Sequence, residues 1–380
     1  MKNGIHEYYM ARCIELAKLG AGGTKSNPMV GSVLVHNDRV IGEGYHQKYG
    51  EAHAEVNCIN SVQDIDLHLV EHATIYVSLE PCAHFGKTPP CADLIISRKI
   101  KHAVIGCRDP FPAVNGKGIE KLEAAGVEVL VGVLENKCLS LNKRFFTFHQ
   151  QYRPYVILKW AQTADGFIGS NDQRLLITND FTNRLVHRWR SEEMAIMVGK
   201  NTALRDNPSL TTRLWFGNNP VRIVTDSNLQ IPHNAHLMDG SVHTIVFNSL
   251  KDELKDNIEF IKFEVREEPV EIIAVNDADD EQDLAVKLVE KYGSKAAGKE
   301  LIMGMMEALY MRNITSVLVE GGATLLQSFI DAGCWDEARV ITNTRLLAGS
   351  GVKAPVAGIP SDAESFMIAD DQVTIFERQR

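Results

Sequence analysis

The chain has 380 residues, 44% of them hydrophobic and 23% charged, with 28 Gly and 13 Pro; this is ordinary globular composition and more length than one average domain needs. Forty Lys and Arg against forty-nine Asp and Glu leave a net charge of -9, which lacks the basic footprint of a nucleic-acid binder and points to a small-molecule partner. No apolar run reaches the roughly 18 to 20 residues that span a bilayer, and the start MKNGIHEYYMARC has no continuous apolar stretch of signal-peptide type, so a cytoplasmic protein with no membrane or nucleic-acid partner is expected.

In chain order, Met10, Ile14 and Ala17 recur near helical spacing between Glu7 and Leu19, and Gly20, Gly22 and Gly23 stop that helix. VGSVLVHNDRVIGEGY reads as a hairpin about Asn37-Asp38. AHAEVNCINSV follows as a helix, ATIYVSLE as a strand, CADLIISRKI as a helix, HAVIGC as a strand, IEKLEAAG as a helix and VEVLVGVL as a strand. This alternation predicts a largely parallel sheet covered on both faces, a three-layer α/β/α domain over residues 1–150.

A polar, aromatic helical stretch, CLSLNKRFFTFHQQYRP, leads to Arg153-Pro154, where a second α/β domain over 151–380 is expected to begin. YVILKWAQTADGFI reads as a strand running into a turn at Asp165-Gly166, TNRLVHRWRSE as a helix, and MAIMVG, VRIVTDS and HTIVFN as strands. ITSVLVEGGATLLQSFIDAG reads as strand, glycine turn and helix, and ARVITNTRLL as a further strand. Residues 251–300, with NDADDEQD and KYGSKAAGKE, read as a solvated loop-and-helix spacer.

Seven Cys, an odd number spread over a long chain, argue against a disulfide framework. His53-Ala54-Glu55, Pro81-Cys82 and Cys91 stand apart from the rest. One His and two Cys suit zinc and leave its fourth tetrahedral position open for water, as catalysis requires; a structural site would need a fourth ligand, for which His84 is near enough in sequence. Glu55 favours catalysis, because a carboxylate two residues from a zinc ligand can take a proton from activated water and hand it to a leaving amine. Zinc deaminases of nucleobases carry H-x-E followed by P-C-x-x-C. Here the second Cys comes after AHFGKTPP, so a loop carrying His84, Lys87 and Thr88 replaces the short turn. Cys13, Cys58, Cys107, Cys138 and Cys334 read as packing residues.

Together, SNPMVGSVLV, GEGYHQKYGEAHAEV, SLEPCAHFGKTPPC and RDP resemble the deaminase domain of the bifunctional riboflavin-biosynthesis deaminase/reductase family. The resemblance implies a cytidine-deaminase-like fold, one zinc per chain on His53, Cys82 and Cys91, and Glu55 as proton shuttle. It implies a phosphorylated pyrimidine substrate, 2,5-diamino-6-(5-phosphoribosylamino)pyrimidin-4(3H)-one, losing an amino group as ammonia. It also places Asn27, Glu80, His84 and Lys87 against the pyrimidine or ribose phosphate.

In the second half, Val319-Glu320-Gly321-Gly322-Ala323-Thr324 reads as a strand whose glycine turn opens a helix, where backbone N–H groups can receive phosphate. LKWAQTADGFIG, RWRSEEMAIMVGKNTALRDNPSLTTR, VRIVTDS and VEGGATL resemble, in order, the reductase domain of the same family, which is similar to dihydrofolate reductase. The resemblance implies reduction of the substrate's ribose to a ribityl chain by NADPH. It carries Ala161, Leu176, Thr202, Asp206, Ser227, Gly321, Gly322, Ala323, Thr324, Leu325 and Leu326 to the cofactor. Lys159, Asp165, Arg174, Arg190, Leu210, Arg213 and Glu320 go to the second substrate, the arginines because their forked donors match phosphate. Many members read Ser-x-Trp where this chain has Arg174-Leu175-Leu176, so an aromatic is missing and Leu176 offers an apolar wall instead. No basic pocket for a 2′-phosphate is visible in the sequence, and NADPH and a homo-oligomeric state both follow from the family alone. A deaminase acting on tRNA and a binding protein with a structural zinc are the competing readings. Net charge, the long Cys82 to Cys91 loop and the second domain oppose the first, and Glu55 opposes the second.

Overall fold

The computed structural model describes residues 2–85, 89–111, 114–170, 175–263 and 298–378. Lys87, Arg174 and most of the charge-rich spacer lie outside the described residues. By internal contacts the chain divides into two compact units, Met1–Tyr152 and Arg153–Arg380. Among the described residues no helix is long and apolar enough to cross a membrane.

The first unit opens with helix α1 (Lys2–Lys18) and hairpin strands β1 (Gly31–His36) and β2 (Arg39–Tyr45), joined through Asn37 and Asp38 at φ 47° and 60°. Two positive φ values in a row are what a two-residue hairpin turn demands. After α2 (Ala54–Asn60) come β3 (Thr74–Leu79), α3 (Cys91–Ser97), β4 (His102–Cys107), α4 (Lys117–Ala124), β5 (Glu128–Val131), α5 (Glu135–Leu141) and α6 (Lys143–Gln151). The sheet order is β2-β1-β3-β4-β5. Strands β3, β4 and β5 run parallel because helices carry the chain back between them, whereas β1 is antiparallel to both neighbours. The sheet is therefore mixed, where its helix-strand alternation predicts a largely parallel one.

Period-two alternation sorts the strands' side chains onto two covered faces. Leu34, Ile75, Val77 and Ile105 pack on Ile59 of α2, Ile95 of α3 and Leu122 of α4. Val33, Tyr76 and Val104 pack on Met10 and Cys13 of α1 and Cys138 of α5. The three layers expected from the sequence are present, and the five cysteines read as packing residues are buried.

The second unit comprises β6 (Tyr155–Gln162), β7 (Phe167–Gly169), α7 (Asp180–Glu192), β8 (Ala195–Gly199), α8 (Lys200–Asp206), β9 (Val221–Thr225), β10 (Thr244–Asn248), β11 (Glu253–Lys255), β12 (Ile258–Lys262), a helix Gly298–Tyr310, β13 (Ser316–Glu320), a helix Ala323–Asp331, β14 (Glu337–Asn343), β15 (Val352–Lys353), β16 (Glu364–Ile368) and β17 (Asp371–Glu377). Asn179 caps α7, its side chain accepting from the Phe181 and Thr182 N–H groups. Ten strands form one sheet in the order β11-β12-β10-β9-β8-β13-β6-β14-β17-β16. From β12 to β14 neighbours run parallel, and antiparallel β11 and the β17-β16 hairpin finish the edges. Helices α8 and Gly298–Tyr310, the edge pair β11-β12 and the C-terminal hairpin have no counterpart among the elements expected from sequence.

This order creates a switch point. The chain leaves β8 for β9 on one side, and leaves β13 for β14 on the other, beyond β6. The connections diverge there, and the carboxyl ends of the strands at such a switch point are the usual ligand position in open α/β sheets.

Candidate functional site

His53 immediately precedes α2 with extended backbone (φ -72°, ψ 166°), Cys82 follows β3, and Cys91 is the first residue of α3. The parallel sheet and its helices thus bring three ligand-type side chains to one end of the unit. Their ligand atoms all lie within 4.8 Å of one another. His53 Nδ1 is 3.6 Å from Cys82 Sγ and 3.4 Å from Cys91 Sγ. Tetrahedral bonds of about 2.0 Å to nitrogen and about 2.3 Å to sulfur place ligand atoms about 3.5 to 3.8 Å apart, so the triad fits zinc. The Cys91 thiol's hydrogen bond pulls the Cys82 thiol down against its burial, with His53 helping. The Cys91 N–H also donates to Cys82 Sγ at 3.3 Å.

Glu55, two residues after His53 in the first turn of α2, is buried, and burial pushes its carboxyl up to about 7 against the pull of His53. Such a group is poised to take and release a proton near neutral pH. His84 is outside the ligand cluster; its ring packs 5.8 Å from that of Phe111, which in turn lies 5.1 Å from His149. The fourth-ligand role that the sequence leaves open for His84 has no support in this geometry.

Asn27 Nδ2 lies 3.2 Å from His46 Nε2, while His46 Nδ1 lies 3.1 Å from the Ala52 carbonyl and its ring stands edge-on to His53 at 5.5 Å. An Asn27 amide donating to Nε2 and an Nδ1–H donating to Ala52 form one consistent tautomer. No spacing in the sequence marks His46, although it sits inside GEGYHQKYGEAHAEV. Glu80 is buried, and its oxygens accept the N–H groups of Asp109 (3.2 Å), Gly116 (3.0 Å), Gly118 (2.9 Å) and Ile119 (3.4 Å). Its carboxylate shapes the loop from 109 to 119, and this is a different task from the substrate contact expected of it. Beside it Asp109 is pushed up to about 7 by burial, with Glu80 adding to the shift.

In the second unit Lys159 of β6 pairs in register with Glu320, the last residue of β13, and Arg190 of α7 meets them there. Arg190 Nε and Nη2 donate to Glu320 Oε1 and Oε2 at 3.0 and 2.7 Å, and Lys159 Nζ is 3.7 Å from Oε2. Arg190 Nη1 also donates to the Thr211 carbonyl at 3.4 Å, and the Arg213 N–H donates to His187 Nδ1 at 3.2 Å. Burial, then Arg190 and Arg213, push His187 down to about 4, so it stays a neutral acceptor. Arg213 is exposed, whereas Leu210 is buried in a core cluster with Ile196 and Val198 and so offers no side chain to a substrate.

Gly321 and Gly322 adopt φ 87° and 65° between β13 and its helix. A Cβ at either would come within 3.1 Å of the Thr202 side chain, so the space a nucleotide phosphate needs beside Thr202 exists only with glycine. A cradle of this kind fits a phosphate group. Ala323 and Leu325 are half-buried, Thr324 is exposed, and the Leu326 side chain is in the core, leaving only its backbone for a ligand. Asp206, Ser227 and Leu176 are exposed, and Ala161 is half-buried on β6. Asp165, expected at the second substrate, makes contacts within the chain. Its carboxylate accepts the Thr163 hydroxyl at 2.6 Å and the N–H groups of Ala348 and Gly349 at 3.0 and 2.7 Å, clamping the loop after β14.

Residues 3–107 match the cytidine and deoxycytidylate deaminase zinc-binding region, and residues 154–367 match the RibD C-terminal domain. The chain is 39% identical over 359 residues to the riboflavin biosynthesis protein RibD of Actinobacillus pleuropneumoniae, covering 92% of this chain and 86% of that one. It is 35% identical over 372 residues to RibD of Aquifex aeolicus, covering 97% and 95%. Among solved structures, a diaminohydroxyphosphoribosylaminopyrimidine deaminase/5-amino-6-(5-phosphoribosylamino)uracil reductase from Thermotoga maritima is similar over 99% of both chains, with TM-score 0.80 and 32% identity.

Proposed function

Because this chain belongs to the RibD family of bifunctional riboflavin-biosynthesis enzymes, with a zinc-binding deaminase domain and a reductase domain, we propose that its two units act in succession on one phosphorylated pyrimidine. The substrate is 2,5-diamino-6-(5-phosphoribosylamino)pyrimidin-4(3H)-one. Water replaces its amino group, ammonia leaves, and the ribose of the resulting uracil is then reduced to the ribityl chain.

The observation that carries the first half is Glu55 beside the triad His53, Cys82 and Cys91. Zinc held by these three supplies Lewis acidity that makes water nucleophilic at neutral pH. Glu55, buried in the first turn of α2 two residues from His53, accepts the proton of the attacking water and delivers it to the departing amine. Asn27, oriented by His46, keeps its carbonyl oxygen for the pyrimidine edge, and Glu80 holds the wall of the pocket in shape. By the family resemblance, His84 and Lys87 are assigned to the ribose phosphate.

In the second half NADPH supplies the hydride. The Gly321-Gly322 turn and Thr202 receive its phosphates, while Lys159 and Arg190 outnumber Glu320 and leave net positive charge for a phosphorylated substrate. A cytoplasmic, homo-oligomeric protein with no nucleic-acid partner completes the reading, supported by the family resemblance and the net charge of -9.

Ammonia release from the diaminopyrimidine nucleotide, followed by NADPH oxidation once the deaminated product has formed, tests the scheme. Release without any oxidation of NADPH or NADH would leave a deaminase only.

A further inference from the structure

The segment 27–31, which leads into β1, is fastened at every residue but Pro28. Asn27 Nδ2 lies 3.2 Å from His46 Nε2, the Val30 carbonyl accepts the His46 N–H at 2.9 Å, and the Gly31 N–H donates to the Ser78 hydroxyl oxygen at 3.1 Å. A Cβ at Gly31 would come within 2.0 Å of the Cys13 carbonyl oxygen, so only glycine lets β1 start this close to α1. Met29 is held from a distant part of the chain. Its N–H donates to Asn142 Oδ1 at 2.8 Å, and its carbonyl accepts from Asn142 Nδ2 at 2.9 Å.

One side-chain amide that meets both polar groups of a single residue imitates a strand bridge and fixes the peptide planes on either side of that residue. Asn142 is 3% exposed and stands between α5 and α6, its own N–H donating to the Leu139 carbonyl at 3.1 Å and its carbonyl accepting the Phe146 N–H at 2.9 Å. Backbone and side chain are both committed, so the amide cannot turn away without leaving the Met29 groups unpaired. Only Pro28 separates the clasp from Asn27. Its ring locks its own φ and restricts the backbone of the residue before it, so a rotation at Met29 is passed to Asn27 rather than absorbed.

We propose that Asn142 is a positioning residue of the deaminase: by clasping Met29 it sets the Asn27 amide on His46 and so holds the pyrimidine edge. The proposal rests on the deaminase reading above, in which Asn27 meets the pyrimidine. It gives the junction of α5 and α6, 113 positions after Met29, a part in substrate binding.

Steady-state deamination by the full-length protein tests this, with zinc content and NADPH oxidation on the deaminated product as controls. Asn142→Asp keeps the acceptor for the Met29 N–H and sets a carboxylate oxygen against the Met29 carbonyl; Asn142→Leu removes both bonds at similar volume. Each raises the deaminase KM about tenfold, the scale of one lost hydrogen bond, with kcat within about threefold, because substrate and transition state lose the same contact. Zinc stays at the wild-type level and NADPH oxidation is unchanged. Asn27→Ala raises KM to a similar extent, and in that background Asn142→Asp changes it by less than about twofold, since a residue that acts through Asn27 then has nothing left to position. An unchanged KM in Asn142→Asp, full additivity of the two substitutions, or loss of zinc or of NADPH oxidation together with deamination would overturn the proposal and make Asn142 a folding contact only. A wild type that releases no ammonia removes the deaminase reading and the proposal with it.

Discussion

Arg190 holds Glu320 at two points, Nε to Oε1 at 3.0 Å and Nη2 to Oε2 at 2.7 Å, at the end of β13. Burial alone would raise the Glu320 carboxyl; Arg190 and Lys159 outweigh it and hold the group at about 2. A carboxyl depressed from its ordinary 4.5 contributes stability that is complete above the unfolded value and is lost as pH falls from there toward 2. Unfolding midpoints measured between neutral pH and pH 2 therefore drop more steeply in the wild type than in Glu320→Gln, and parallel curves would show that the pair contributes nothing. Arg190→Gln strands a buried charge and costs about 3 to 5 kcal/mol.

Glu55→Gln keeps shape and burial but cannot carry a proton. We expect ammonia release to fall by about 10² to 10⁴-fold, zinc content to stay at the wild-type level, and reduction of the deaminated product to be unaffected. Full deamination by this variant would rule out the proton shuttle.

Cys82→Ala and Cys91→Ala remove one ligand each from the triad. Metal analysis of either variant should find zinc lost, with ammonia release abolished. Chelation of the wild type should have the same effect, and metal retained by both variants would place the ion elsewhere. The reductase reaction, which uses none of these residues, serves as the internal control.

The Glu80 carboxylate and the Gly118 backbone are parts of one device. A Cβ at 118 would collide with the Pro81 carbonyl, so only glycine lets its N–H approach Glu80 Oε1 at 2.9 Å. Glu80→Ala leaves four buried N–H groups without this acceptor, and Gly118→Ala pushes the loop away from it. Each should destabilise the protein by about 2 to 4 kcal/mol, as losses of buried charged hydrogen bonds do, and should raise the deaminase KM while leaving NADPH oxidation unchanged. A stable Glu80→Ala variant of normal activity would refute this.

Asp165 is held down to about 2, first by the Thr163 hydroxyl and then by the Ala348 and Gly349 N–H groups. Asp165→Ala should speed amide exchange at Ala348 and Gly349 and lower reductase kcat/KM, with deamination intact. Exchange rates equal to wild type would show that the loop holds itself.

The metal ligands were legible because zinc chemistry admits few residue types and His53, Cys82 and Cys91 lie within about forty positions of one another. Alternating strand and helix periodicities likewise marked most of both sheets, since spacing of apolar residues reports directly which faces will be covered. Neither signal carries the direction of a distant backbone group. That Glu80 meets the N–H groups of residues 109 to 119, and that Asp165 clamps 348 and 349, depends on the path the chain takes after dozens of intervening residues. Leu210 and Leu326 carry site motifs in their sequence neighbourhood yet point into cores. Residue chemistry and local spacing determined which reactions this chain is equipped for. Only the tertiary structure decided which polar side chains face a ligand and which are consumed in holding the pocket, because a buried polar group must be satisfied by whatever the fold brings beside it.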